Sequence, residues 1–581
     1  MIVPMKKLTI LVSARDRLNA LDKLRQLGVL HVKHIKSPSS DEIYSLQNKL
    51  AEIEKTGIIL DGFFKEPKTG IEAPELVTKA LELDERRHTL RSELNEKQEM
   101  FKWFESWGKV SLASLDKLKE AGLFVHFYTT DKEGLKKVPA DKQIAVVQDS
   151  KDGVKFAYFG ESEDDKLDYT EQRMPQVEVS QLESRIAEIE QELDIITKEI
   201  AELVPYRDVL QDYKTGIVKK LELNNVLYGM ADEQQFAYLQ GFCPEDQVQN
   251  IESASEQNGW GIIVEDPDDP SEVPTLLRNK KPIRIVQPLF DFMGTFPGYH
   301  EMDISFVFLL FFSVFYAMIV GDAGYGLIFL GLTAWARIKM KKAPSEPFIL
   351  FFVLSIATII WGAITGTWFG SKAISEWPVL NMFIIPEIYS FAGTDAAQNF
   401  MMKLTFTIGI IHLTFAHLMA ATKKLPSPKA LADVGWVLIL WCVYFVARQL
   451  VLGETMPGFA VYLLYAGALL VGVFANFQKN ILKGFALSIA DLPLSIISSF
   501  SDIVSYIRLF AVGIATVTVA ASFNDMAGGI IAPLVLVLGH GLNIILAMMS
   551  VLVHGVRLNM LEFSGHLGQE WSGKEYKPFK E

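Results

Sequence analysis

"SDIVSYIRLFAVGIATVTVAASF" occupies residues 501–523. Asp502 aside, it has the composition of a helix that crosses a membrane, with one guanidinium, Arg508, near its middle. A permanent cation costs about 3 kcal/mol or more at the centre of a bilayer, so it is kept only where it meets a partner or a water-filled path. The stretch assigns the chain to the polytopic membrane proteins. It also raises the question of what neutralises Arg508.

Outward from this stretch the chain falls into two parts. Residues 1–303 are rich in Asp, Glu and Lys, whereas 304–581 are mostly apolar as far as about residue 563. A soluble domain followed by an integral membrane domain is expected. The net charge of −13 sits mainly on the first part and argues against nucleic acid as a partner. The opening MIVPMKKLTILVSARDRL has an apolar run too short for a signal peptide, so the soluble domain is expected in the cytosol. Cys243 and Cys442 are the only cysteines, which excludes a disulfide framework and a cysteine-built metal site.

In the soluble part, KKLTILV (6–12), RDRLNALDKLRQLG (15–28) and VLHVKHI (29–35) read as a β-α-β unit. A second such unit lies at 236–266, and 144–160 reads as a hairpin turning at Lys151, Asp152 and Gly153. Val179, Leu182, Ile186, Ile189, Leu193, Ile196, Ile200 and Leu203 recur in steps of three and four, a heptad seam flanked by charge. The spacing predicts a helix over about 179–205 that packs antiparallel against charged helices within about 41–105. The preferred architecture is an α+β module, two α/β lobes joined by an antiparallel coiled coil; the plainer alternative is a surface helix on a globular core. No segment fits GxxxxGK followed by Ser or Thr, none fits GxGxxG after a strand, and the histidines lack metal spacing. No catalytic residue, nucleotide site, cofactor or metal is therefore expected.

The apolar part counts to about eight helices. GDAGYG (321–326) splits 304–339 into two short ones, and 347–370, 400–422, 432–452 and 457–477 follow. Two longer runs, about 484–524 and 528–563, close the series. With the soluble domain inside, RIKMKK (337–342), KKLPSPK (423–429) and QKNILK (478–483) all fall on the cytoplasmic side, as the positive-inside rule requires, and so does the C-terminus. The last two runs, at ~1.5 Å per residue, reach ~54–60 Å against ~30 Å of hydrocarbon. They must tilt or project, and Pro493 and Pro533 are candidate bends.

His540, Asn543, Ala547, Ser550, His554 and Arg557 share one face of the final helix, with Glu562 just beyond. Ser498, Asp502, Ser505 and Arg508 form a similar stripe on the helix before it, with Asp491 nearer the cytoplasm. Such groups sometimes only fasten two helices together. That accounts for Ser505, Asn543 or Ser550 and not for two arginines supported by His and Glu, a set that marks an ion path. Arg508 does not give up its proton. It suits a barrier that forces a passing carboxylate to release its ion, while imidazoles and carboxylates serve the access routes.

The combination resembles the a subunit (subunit I) of V-type and archaeal-type rotary ATPases. The matching stretches are DIVSYIRLFAVGIA (502–515), HGVRLNMLEF (554–563), GDAGYG, WGAITGTWFG (361–370), 274–303 and the opening β-α-β unit. The resemblance implies a stator membrane subunit without a catalytic site of its own, in an assembly that couples ATP turnover to movement of H⁺ or Na⁺. It implies that Arg508 and Arg557 separate two half-channels, and that His540, Asn543, Ser550, His554, Glu562, Asp491, Asp502 and Ser505 support them. Gly321, Asp322, Gly324 and Gly326 would form a structural turn. The implied partners are a proteolipid ring whose essential carboxylate faces Arg508, peripheral-stalk E/G-type heterodimers, the central-stalk adaptor subunit and the lipid bilayer. The partner of Arg508 is then expected on another chain. The lack of any Asn-x-Ser/Thr acceptor favours the plasma membrane of a prokaryote. A self-sufficient secondary transporter would use the same ladder for its own ion, but the paired broken helices common in such proteins are not seen; a mere scaffold would not need two arginines.

Overall fold

The computed structural model describes residues 1–62, 68, 70–139, 141–150, 153–233, 235–476 and 481–580. The chain separates into two compact units. One comprises Met1–Val12, Lys23–Lys33 and Gln240–Lys580, the other Ser13–Asp22 and His34–Leu239. The polar segment 240–303 belongs to the same unit as the apolar helices, so these divisions fall elsewhere than the change in hydropathy near residue 303.

Leu8, Ile10 and Val12 alternate with more exposed neighbours, and strand Met5–Ser13 buries them on one face. The strand sits in a five-stranded sheet. The order across it is His31–Lys33, Phe236–Pro244, Met5–Ser13, Gly261–Glu265, and Ala231–Glu233 pairs with Phe236–Pro244. The two β-α-β units read from the sequence thus alternate strand by strand in one sheet. A second, antiparallel sheet runs in the order Gln143–Ser150, Gly153–Gly160, Phe124–Thr130, Thr170–Glu171. Its first two strands are the expected hairpin; Lys151 and Asp152 lie outside the described residues.

The heptad seam becomes helix Val179–Leu203, with Val179, Leu182, Ile189, Ile196, Ile200 and Leu203 buried. Most of these pack against Leu76, Val77, Ala80, Leu83 and Leu90 of helix Ala73–Trp107 in one apolar cluster. Ion pairs fix the direction. Arg86 meets Glu192, Glu93 meets Arg185, and Lys109 meets Glu183. Partner numbers fall as the helix advances, so the two helices are antiparallel. Asp41–Ile59 and Arg207–Gly229 run antiparallel in the same way, through Glu54 with Lys214 and Glu42 with Tyr228.

Among the described residues five helices are long and apolar enough to cross a membrane: Glu346–Thr365, Asp395–Lys424, Ala430–Leu452, Lys483–Met526 and Gly529–Leu567. Ser305–Val320 and Ala323–Lys339 pass the same test only together, as a pair bent by 119°, which brings the number to six; Ala460–Phe474 is a shorter apolar helix. The two oversized runs measure 44 and 39 residues. Pro533 does not bend the last of them. It lies in the first turn of helix Ala532–Ser550, where its missing N–H leaves nothing unpaired. The irregularities fall elsewhere: Tyr506 interrupts the helix between Ser505 and Ile507, and Val551–Gly555 and Leu558–Phe563 are wound as π-helix.

Beyond Leu567 the chain returns to the sheet-bearing part of its own unit. Lys574 and Glu575 pair in parallel with Pro274 and Thr275. The Tyr576 hydroxyl donates to Val29 O at 2.6 Å, Phe579 N donates to Leu30 O at 2.8 Å, and the Phe579 ring is buried. The ammonium of Met1 meets Asn279 and Asp303, so residues 1, 29–31, 303 and 574–579 gather at the mouth of the apolar helices.

A buried ion pair and two polar networks

Arg508 opens helix Ile507–Met526 directly after the interruption at Tyr506. Its Nη2 donates to Glu562 Oε1 at 2.9 Å and its Nε to the Ser505 carbonyl at 3.1 Å. The Ser505 hydroxyl lies 3.1 Å from the same Glu562 oxygen, and Arg557 Nε stands 3.7 Å from it. Glu562 is buried, its Oε2 has no hydrogen-bond partner among the described residues, and Arg557 is about half exposed. Glu562 thus lies between two guanidinium groups, Arg508 and Arg557. It is an acid partner of Arg508 within its own chain, a pairing that sequence reasoning did not make. The π-helical winding explains the miss. Residues five apart are about 140° apart on a regular α-helix, whereas the i→i+5 turn brings Glu562 towards the Arg557 face. Among the described residues, Arg508 keeps its Nη1 group unengaged.

The GDAGYG stretch is a capped hairpin. Asp322, fully buried, accepts from the backbone N–H groups of Gly324 and Tyr325 ahead of it, and from Phe369 and Gly370 across it, at 2.8–3.2 Å. Four donors satisfy both carboxylate oxygens and fasten WGAITGTWFG to the turn. Gly321 sits at φ +68°, and a Cβ on Gly324 would come within 2.6 Å of the Phe369 ring. One turn on, the Tyr325 hydroxyl lies 2.8 Å from His540 Nδ1 and accepts from Asn543 Nδ2 at 2.9 Å. Asn543 also donates to Thr516 O, and His540 Nε2 lies 3.2 Å from Asn524 Oδ1. One hydrogen-bonded network thus runs from Asn524 to Thr516 at this end of the helices.

At the other end Asp502 Oδ2 lies 3.1 Å from His566 Nε2. Between the two networks His412 is stacked between Phe311 and Phe563 and bonded to the Tyr506 hydroxyl at 2.8 Å.

No family model matches the chain. It is 34% identical over 614 aligned residues to a V-type ATP synthase subunit I of Borreliella burgdorferi, covering 100% of this chain and 99% of that one. The chain belongs to the V-type and A-type ATP synthase subunit I family. A V-type ATP synthase subunit I 1 of Treponema pallidum is 29% identical over 622 residues with both chains covered in full, and an A-type ATP synthase subunit I of Methanocaldococcus jannaschii is 24% identical over 449 residues, 70% of this chain and 64% of that one. The crystal structure of the cytoplasmic N-terminal domain of a subunit I, homolog of subunit a, of V-ATPase aligns at 18% identity with a TM-score of 0.24, over 45% of this chain and 99% of that one. As a subunit I the chain is a multi-pass membrane component of a rotary ATPase.

Of the residues singled out in this subunit I, Arg508, Arg557, Glu562 and Ser505 come together. His540 and Asn543 join the turn of Gly321, Asp322, Gly324 and Gly326 through Tyr325. Asp502 belongs to a third group. Ser550 stays outside all three, His554 holds a buried Nδ1 without a partner among the described residues, and Asp491 is exposed. Sequence reasoning passed over Tyr325, Asn524, Thr516, His412, His417 and His566. The two histidines inside the apolar helix Asp395–Lys424 carried a signal of their own, since an imidazole at membrane depth is seldom idle.

Proposed function

We propose that this subunit I is the stator of the membrane sector, with two ion half-channels that meet at Arg508 against a rotating ring of proteolipid subunits. The observation that carries the reading is the half-buried Arg508 beside a helix interruption, with Glu562 as resident counter-ion and, among the described residues, Nη1 unengaged. Glu562 makes the guanidinium tolerable in the isolated chain, and a passing ring carboxylate would take the free side. In its charged form that carboxylate is stabilised by Arg508 and releases its ion. Arg557 reinforces the barrier. The chain itself carries no catalytic centre, and the N-terminal part would anchor the E/G-type peripheral stalks and face the central-stalk adaptor.

The gathering of residues 1, 29–31, 303 and 574–579 supports an even number of crossings, because the chain enters and leaves the apolar helices at one mouth. The arms Ser305–Val320 and Ala323–Lys339 are ~24–26 Å long and turn back on one another, which suits two short crossings. With Ala460–Phe474 these give eight. The basic loops support a cytoplasmic position for both termini, and the membrane would be the plasma membrane of a prokaryote. The intrachain pair is also what a self-sufficient transporter would need; ion uptake by the purified chain alone in liposomes favours that second reading.

The test is Arg508→Ala in the complete assembly reconstituted in liposomes. Loss of ATP-driven ion pumping with an intact assembly is expected, and normal pumping rejects the proposal.

A further inference from the structure

We infer that the ion carried is a proton, and that it passes the Lys424 end of the membrane part along a relay of Asp433, His417, His566 and Asp502. The inference rests on the stator reading above. His417 Nε2 and His566 Nδ1 are 3.0 Å apart, and His566 Nε2 is 3.1 Å from Asp502 Oδ2. On the far side His417 Nδ1 lies 3.7 Å from Asp433 Oδ1 and makes no hydrogen bond among the described residues, and Lys424 Nζ is 2.8 Å from Asp433 Oδ2. Four elements each supply one titratable group: helices Ala430–Leu452, Asp395–Lys424 and Ile481–Ser505, and the turn Ser564–Leu567. Asp433 and His417 are buried, whereas the Asp502 side chain is 30% exposed. It opens into a cleft that Ser495, Ser498 and Ser499 line together with His417 and His566. The other charged groups nearby are Glu562 and Arg508, one helical turn away through Ser505. His412 faces Tyr506 and takes no part.

Imidazole accepts a proton at one nitrogen and gives up another from the opposite one. A proton arriving at His417 Nδ1 releases the one on Nε2 to His566 Nδ1, and His566 releases its Nε2 proton to Asp502. One proton enters, one leaves, and return of the two rings to their first tautomers resets the path. Sodium has no such route. It needs several oxygen ligands, and two imidazole nitrogens in direct hydrogen-bond contact leave no space between them for a metal ion. Among the described residues there is also no group of three or more His, Cys, Asp or Glu arranged to hold one. Mere fastening of helices would be satisfied by any donor–acceptor pair, so Gln at either histidine separates the two roles: its amide hydrogen-bonds but does not titrate.

The experiment uses the complete assembly in liposomes with ATP, an internal pH dye and labelled sodium. The expected result is acidification in sodium-free buffer, slowed about a hundredfold by His417→Gln and by His566→Gln, with partial recovery of His566→Ala on adding imidazole to the medium. Asp502→Asn, at the open end where packing is least disturbed, must slow it as well, and it decides alone if the histidine variants do not assemble. Acidification at the wild-type rate in the Gln variants, or in Asp502→Asn when it decides alone, overturns the relay. Uptake of labelled sodium in place of protons overturns it too, while leaving the stator reading intact. Normal pumping by Arg508→Ala, by contrast, removes the stator reading itself.

Discussion

Arg508 and Glu562 are 54 positions apart in the chain and 2.9 Å apart in space. Each belongs to one of the two longest apolar helical runs, and each stands beside a break in regular winding. Each helps to make the other's charge tolerable there.

Glu562→Ala leaves that guanidinium without its counter-ion, and the expected cost is about 3 kcal/mol. Removing both charges, Arg508→Ala with Glu562→Ala, is expected to cost less than Glu562→Ala alone. Thermal midpoints of the four proteins in detergent close the cycle. A double variant that is the least stable of the four would show the pair does not hold the two helices as described.

The cap at Asp322 makes a second prediction. Asp322→Ala strands four backbone donors in the hairpin, with a loss of about 3 kcal/mol. Gly362→Ala is expected to be worse. A Cβ there would lie 2.1 Å from Ala323 N, and backbone cannot step aside. Expression and thermal midpoint of the two variants rank them, and a Gly362→Ala protein as stable as wild type contradicts the close approach of the two segments.

The tail is testable apart from the membrane chemistry. Phe579 is buried at its end, and Phe579→Ala is expected to cost about 3 kcal/mol locally. Limited proteolysis should then cut within 568–580 well before any other site. Equal resistance in variant and wild type would mean the tail does not depend on its ring.

The four-stranded sheet predicts a pH response. Glu171 is held below the usual carboxylate range by hydrogen bonds from His126 and Lys166, and Asp165 by those from Tyr158 and Lys142. A depressed carboxylate stabilises the fold fully above its unfolded pKa, about 4. It loses that contribution as pH falls through the folded value. Hydrogen exchange over 124–171 should stay slow from neutrality down to about pH 4 and quicken below it. Tyr158→Phe should move the onset upwards; an unchanged onset refutes the role of its hydroxyl.

Periodicity made much of the architecture legible. The seam from Val179 to Leu203, the strand around Leu8 and Ile10 and the two oversized apolar runs were all written in local spacing, and GDAGYG announced its own break. Pairing between distant segments was not. Nothing in 29–35 or 236–244 says that their strands alternate in one sheet, and Lys574 with Glu575 is too short a strand to leave a pattern. Glu562 was found as a residue but not as the partner of Arg508, because a face drawn at 3.6 residues per turn does not foresee a π-helical turn. His417 and His566 were missed for another reason: each looks solitary until two separate helices bring their rings together.

Since Pro274 and Thr275, among the described residues, find their strand partners in Lys574 and Glu575, that part of the structure stays unfinished until every apolar helix has left the ribosome and been inserted. A polypeptide stalled or misthreaded part-way would present an open strand edge and an empty socket for Phe579. Cellular quality control has there a direct mark of incomplete biogenesis, independent of whether any ion ever moves.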